Sequence, residues 1–254
     1  MYDIDRQKKI LEILSDGKSH NVFELSEKIF ASSATIRRDL IKMENKGLIT
    51  RTFGAVILNT QKPNNEISFE LRETKNLKEK TALCAEAANH LSNNMTIFID
   101  SSSTLLNIVS YLNRYNNITI ITNGLFIANE IVSHTTHQLI LCGGQVHTST
   151  NSLSGNLALR NITNFHVDLA LMSSARYDIE HGFYESTIDV SELKQAMIKN
   201  SDKVIMLLDD TKIGHRTLAK ICTLDQINYL ITNHKFTNDE YEKLGRNKNK
   251  IIII

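Results

Sequence analysis

Proline occurs once in these 254 residues, cysteine three times, and no run of eighteen apolar residues exists anywhere. The missing run excludes a membrane-spanning helix, and the first residues show no charged-then-apolar leader, so the expected location is the cytoplasm, with no membrane partner. Cys84, Cys142 and Cys222 are few, far apart and embedded in apolar runs. They read as buried thiols, not as a disulfide framework or a zinc site. His134 and His137 lie close together but no second pair accompanies them, so neither a metal nor a cofactor is expected. An excess of one charge is missing too: 29 Lys and Arg stand against 28 Asp and Glu, a formal net charge of +1. That balance excludes little, because a local basic patch can bind DNA within a near-neutral chain. No internal repeat is present.

What the chain does have is 41% hydrophobic residues, enough for real cores, and a length that allows two domains. The single proline, Pro63, sits in NTQKPNN, residues 59–65, which carries no long apolar side chain. This marks a boundary. The expected organisation is a small domain over residues 1–58, a linker over 59–75 and an α/β domain over 76–254.

The most informative stretch is SSATIRRDLIKMENKGL, residues 32–48. Ser32 and Ser33 offer helix caps, Ile36, Leu40 and Met43 recur as one buried stripe, and Gly47 ends the helix. At roughly 100° per residue, Arg38 lies opposite the stripe with Arg37 on the flank. Two guanidinium groups near the N-terminal half of a short capped helix suit major-groove reading. An ordinary amphipathic helix with a solvated basic face fits the same pattern. The context favours DNA: helices over residues 4–14 and from Asn21 precede it, and residues 48–51 and 55–58 follow as two short strands around Gly54. That order is a winged helix-turn-helix. Arg51 in the wing, and Ser33, Thr35 and Lys42 on the helix, are the expected supplementary or phosphate contacts. Arg37, Arg38, Lys42, Lys46 and Arg51 against Asp39 and Glu44 put the positive charge on this stretch.

Residues 24–55 resemble the N-terminal domain of the DeoR family of bacterial transcriptional regulators, through Thr35, Ile36, Arg37, Arg38, Asp39 and Leu40, then Glu44, Gly47, Leu48, Arg51 and Gly54. The wing departs from that family's pattern, with Phe53-Gly54-Ala55-Val56 where His-Gly-Gly-Ala is usual.

From residue 95, short apolar runs (95–99, 118–121, 138–141, 167–172, 203–208, 229–231, 250–254) alternate with helical patterns at 105–112, 125–133 and 190–199. A further helix is expected over 77–91. Alternation of this kind predicts a Rossmann-like, mainly parallel α/β sheet, with ligands at the carboxyl ends of the strands. The residues there are small and polar: Asp100 to Thr104, including Ser102 and Ser103; Thr122 and Asn123; Gly143 and Gly144; and Asp209 with Lys212. A hydroxyl-rich turn before a helix offers N–H groups and a favourable dipole to an anion such as a phosphate.

These segments also resemble the DeoR family, which adds Lys194 and Met197, and the domain is similar in fold to ribose-5-phosphate isomerase. The resemblance implies a phosphorylated sugar or related metabolite as ligand, operator DNA as partner, a homo-oligomer, and a regulator, expected to be a repressor. Ser102 replaces the family's usual glycine, so a regulator that has lost its ligand response is one alternative. A sugar-phosphate isomerase is the other. It is disfavoured because Met172-Ser173-Ser174-Ala175-Arg176 brings no carboxylate where isomerases of this fold have them, leaving Glu185 or Glu192 as substitutes. No catalytic residue is expected.

Overall fold

The computed structural model describes residues 3–52, 54–59, 69–148 and 150–254. Phe53 of the expected wing, and Pro63 with most of the expected boundary segment, lie outside the described residues. The chain divides into two compact units, Met1–Leu77 and Lys78–Ile254.

The first unit contains α1 (Asp3–Leu14), α2 (Val22–Ile29), α3 (Ser33–Asn45), the antiparallel hairpin of β1 (Ile49–Thr52) and β2 (Ala55–Leu58), and α4 (Phe69–Thr74). A reciprocal cap starts α2: Asn21 Oδ1 accepts the Glu24 N–H at 2.9 Å and the Glu24 carboxylate accepts the Asn21 N–H at 3.2 Å. Ser32 Oγ starts α3 by accepting the Thr35 N–H at 3.2 Å. Ile10, Leu14, Leu25, Ile36, Leu40 and Met43 form one core with Ile49, Val56 and Leu71. Leu71 comes from α4, so this part of the expected linker is a helix packed on the first unit's core. His20 pairs with Val56 through bonds of 3.0 and 2.7 Å, adding a third strand contact to the hairpin. The turn between α2 and α3 rests on Phe30, which is left-handed (φ 55) and 97% exposed.

The second unit runs α5 (Leu77–Ala88), β3 (Thr96–Ile99), a 3-10 turn (Leu105–Ile108) continued by α6 (Val109–Leu112), β4 (Thr119–Thr122), α7 (Leu125–His134) and β5 (Gln138–Leu141). A hairpin of β6 (Gln145–His147) and β7 (Ser152–Ser154) leads to α8 (Gly155–Thr163), β8 (Val167–Met172), β9 (Arg176–Asp178), β10 (Gly182–Glu185), α9 (Ile188–Lys199) and β11 (Ser201–Leu208). Then come β12 (Ala219–Cys222), β13 (Tyr229–Thr232), α10 (Asn238–Leu244) and β14 (Ile251–Ile253). Seven strands form one parallel sheet in the order β14-β13-β11-β8-β3-β4-β5, and β9, β10 and β12 form a small antiparallel sheet.

Both faces of the large sheet are covered, which is why its strands read as continuous apolar runs. Ile97, Ile99, Leu169, Leu171, Ile205 and Leu207 pack with residues of α5, α6 and α7. Their alternates Phe98, Ala170, Met172, Val204, Met206 and Leu208 pack with α8, α9 and the small sheet. The strand order steps outward in both directions from the β3–β8 pair, and such a reversal opens a crevice at the carboxyl ends of the strands. The helix expected over residues 105–112 is 3-10 in its first half, and that expected over 77–91 ends at Ala88. No helix among the described residues is long and apolar enough to cross a membrane.

Candidate functional site

In the first unit, Arg37 and Arg38 are exposed on α3, and neither forms an ion pair among the described residues. The other expected contacts are partly engaged. Lys42 Nζ donates to Asp3 at 2.7 Å, and Arg51 lies 3.6 Å from Glu44. Thr35 Oγ1 is 2.9 Å from the capping Ser32 hydroxyl, and Ser33 Oγ is 3.5 Å from Ser26 Oγ. These surface pairs are weak. The sequence pattern does not reveal Asp39, which is 1% exposed on the inner face of α3 and ion-paired with Arg6 of α1 (Nε–Oδ2 2.5 Å, Nη2–Oδ1 3.2 Å).

In the second unit, the polar residues after β3, β8 and β11 converge at the strand reversal. Asp100 is 1% exposed: Oδ1 accepts the Ser102 N–H at 2.9 Å, Oδ2 accepts the Ser173 N–H at 3.0 Å, and Lys194 Nζ lies 3.0 Å from Oδ2. Burial alone would raise this carboxyl, but the Lys194 charge and the hydrogen bonds hold it below its ordinary value. Lys194 also donates to the Ser173 carbonyl at 2.7 Å and to Glu185 Oε1. Burial opposes its charge, yet Asp100 and Glu185 outweigh burial and keep its pKa raised.

The three protons of the Lys194 ammonium have three acceptors nearby, and the Asp100 carboxylate accepts two backbone N–H groups besides pairing with that ammonium. Both side chains thereby tie the turn after β3 to the segment after β8.

Around the turn, hydroxyls are flanked by two ammonium groups, and the Ser173 hydroxyl donates its proton to the Leu207 carbonyl at 2.7 Å. Lys212 Nζ donates to Thr104 Oγ1 and Ser173 Oγ, both at 2.9 Å. Lys80 of α5, 3% exposed, donates to Ser103 Oγ at 3.3 Å. One turn later on α5, Cys84 Sγ donates to the Thr104 carbonyl at 3.1 Å. Burial pulls Lys212 down to about 8, helped by the Lys194 charge and opposed by Asp209, Glu185 and Asp100. Asp209 accepts from the N–H and the hydroxyl of Thr211 and so folds the 3-10 turn Asp210–Lys212 that delivers Lys212. Lys80 and Ser173 escaped sequence reasoning: a lysine in a helix normally reads as surface, and Ser173 stands out only once β8 lies beside β3.

Beside this nest, Asn123 Nδ2 donates to Leu153 O at 3.0 Å and to Ser101 Oγ at 3.3 Å, and Thr122 Oγ1 accepts the Gly124 N–H at 3.1 Å. Because Leu153 O can only accept, the amide orientation is fixed. Asn123 Oδ1, in a residue 2% exposed, has no donor among the described residues. Gly143 and Gly144 follow the edge strand β5. A Cβ on Gly144 would stand 2.7 Å from Ser154 O, so the close approach of β7 accounts for that glycine without a ligand. Among the described residues no group of three or more His, Cys, Asp or Glu is placed to hold a metal ion, and Cys84, Cys142 and Cys222 are buried free thiols.

Residues 6–62 match the DeoR-like helix-turn-helix domain and residues 75–234 the DeoR C-terminal sensor domain. The chain is 36% identical over 243 residues to the HTH-type transcriptional regulator GolR of Listeria innocua, covering 96% of this chain and 95% of that one. It is 30% identical to the transcriptional repressor AccR of Agrobacterium fabrum (90% and 89% covered). It is 25% identical to the glycerol-3-phosphate regulon repressor of Escherichia coli (92% of each). Among solved structures, ribose 5-phosphate isomerase A of Methanocaldococcus jannaschii aligns over 55% of this chain and 56% of that one, with 14% identity and a TM-score of 0.41.

Proposed function

The chain belongs to the DeoR family of transcriptional regulators, and from that membership we propose that it represses a sugar-metabolism operon and is released by a phosphorylated sugar or polyol. The observation that supports the ligand half is the hydroxyl nest of Ser102, Ser103 and Thr104 beside the Lys80 and Lys212 ammonium groups, with Ser173 Oγ accepting from Lys212. Hydroxyl and ammonium donors aimed at one small region suit a phosphate dianion, which would also relieve the unfavourable burial of Lys212. Asn123 Oδ1, next to Ser101, is an acceptor suited to a sugar hydroxyl. Asp100, Lys194 and Asp209 hold this arrangement in place. The relative named for the glycerol-3-phosphate regulon supports the same class of metabolite.

Arg37 and Arg38 are the groups that read operator bases, with Ser33, Thr35 and Arg51 beside the phosphates and Lys42 available once it leaves Asp3. Two or more chains present paired reading helices to half-sites about 34 Å apart or multiples of that. The protein acts in the cytoplasm as a regulator and not as an isomerase. Supporting this, the segment after β8 supplies Ser173, Ser174 and Arg176 and no carboxylate, and Glu185 is committed to Lys194. Repression is relieved when the ligand favours one placement of the reading helices over another.

The test is thermal stability of the purified protein against a panel of sugar and polyol phosphates, with the free sugars as controls. A ligand at about 100 times its dissociation constant adds roughly 2.7 kcal/mol. Stabilisation by a phosphorylated compound and not by its free sugar is the expected result. A panel without any response refutes the sensor reading.

A further inference from the structure

Four charged side chains join α1 to α3 in the first unit. Asp3 and Arg6 lie three apart on α1, and Asp39 and Lys42 lie three apart on α3, each pair on one face of its helix. The four side chains alternate in sign and join in sequence: Lys42 Nζ to Asp3 Oδ2 at 2.7 Å, Asp3 Oδ1 to Arg6 Nη2 at 2.9 Å, and Arg6 to Asp39 through the two-pronged contact described above. The Lys42–Asp3 end is exposed and the Arg6–Asp39 end is buried.

We propose that this ladder fixes the rotation of α3 about its own axis, so that Asp39 and Arg6 are positioning residues for the bases that Arg37 and Arg38 read. The inference rests on the proposed reading role of those two arginines. The apolar stripe of Ile36, Leu40 and Met43 holds α3 against the core, but apolar contact is weakly directional and tolerates repacking. A two-pronged guanidinium–carboxylate contact fixes both distance and angle. Rotating a helix by about 20° carries side-chain ends roughly 6 Å from its axis through about 2 Å, more than the range over which an N–H···O bond holds. Asp39 follows Arg38 directly in sequence, so the anchored residue and the reading residue share one backbone turn. Exchanging a buried ion pair for apolar groups is often neutral for stability, which leaves orientation as the property the pair controls.

The experiment uses the full chain and a duplex enriched by the wild-type protein from a random-sequence duplex pool, with a scrambled duplex of equal length as reference. The variant Arg6→Met with Asp39→Leu is expected to melt close to the wild type and to bind the scrambled duplex with unchanged affinity and salt dependence. Its preference for the enriched duplex is expected to fall at least about tenfold, the worth of one base contact. Preference retained within about twofold overturns the proposal. Arg6→Lys keeps the buried charge but loses the fork, so it covers the case in which the double variant does not fold. It is expected to lose preference as well, and wild-type preference in Arg6→Lys also overturns the proposal. An Arg38→Ala variant that keeps full preference refutes the reading-helix assignment independently of the ladder. Failure of the wild type to enrich any duplex refutes both.

Discussion

Lys212 gives the sensor half a titration that can be read directly. In the free protein its ammonium is pulled down to about 8 by burial. A bound phosphate dianion beside Thr104 restores a charge partner and moves the group back toward its ordinary value, so ligand binding takes up a proton above pH 8. The sign follows: affinity is fully present below the free-protein pKa and is lost as pH rises through it. If only the protonated form binds, the apparent dissociation constant rises about tenfold between pH 7 and pH 9, close to 1.4 kcal/mol. The phosphate contributes nothing to this window, because its second ionisation lies near 6. Nor does Cys84, whose buried thiol is pushed up to about 12. The assay is isothermal calorimetry of the most stabilising phosphorylated compound at half-unit steps from pH 7 to 9.5, in two buffers of different ionisation enthalpy to count protons. Lys212→Met should bind weakly and without this slope. In the free protein the same group acts oppositely: its pKa lies below the unfolded value, so stability rises with pH between about 8 and 10. A wild-type affinity that stays flat across the window refutes the placement of the anion beside Lys212.

Three further outcomes follow from the geometry. Arg38→Ala should weaken binding to the enriched duplex by roughly 1–3 kcal/mol, measured by fluorescence anisotropy, while the thermal shift with the sugar phosphate is unchanged. Ser103→Ala combined with Thr104→Val should abolish that shift in the same melting assay, with an operator affinity equal to wild type in the absence of ligand. Gly182→Ala should destabilise by roughly 3 kcal/mol or more in denaturant unfolding, because a Cβ there would stand 2.1 Å from Cys222 O and Gly182 has φ +100.

The legible parts of the sequence were those governed by local rules. Ser32 announces its helix because a hydroxyl cap acts within three residues, and the spacing of Ile36, Leu40 and Met43 is a property of the helix itself. The parallel strands are legible because both of their faces are covered. Asp39 is hidden because the partner that permits its burial, Arg6, lies 33 positions away. The small antiparallel sheet is hidden for a related reason: β9 and β10 are three and four residues long, and their third strand arrives from Ala219–Cys222. Asp100 is legible as a polar residue following an apolar strand, whereas Lys194 enters only through the family resemblance, and no local pattern shows that the two pair, because one lies on the turn after β3 and the other on α9. Lys80 looked like any solvated helix lysine until α5 was laid against Ser103.

The pairing of β3 with β8 also sets an order of events during synthesis. The core of the first unit closes within Met1–Leu77, so it can form as soon as that stretch has left the ribosome. The Asp100 carboxylate must wait for Ser173, 73 positions downstream, and until β8 arrives β3 is an open strand edge. At about 5–20 residues per second, roughly 5–20 s separate completion of the two segments. Non-local parallel pairing is itself slow to nucleate. A nascent chain therefore can complete α3 before the Asp100 turn is held, so if that turn binds the proposed metabolite, responsiveness is a late-maturing trait of each newly made molecule.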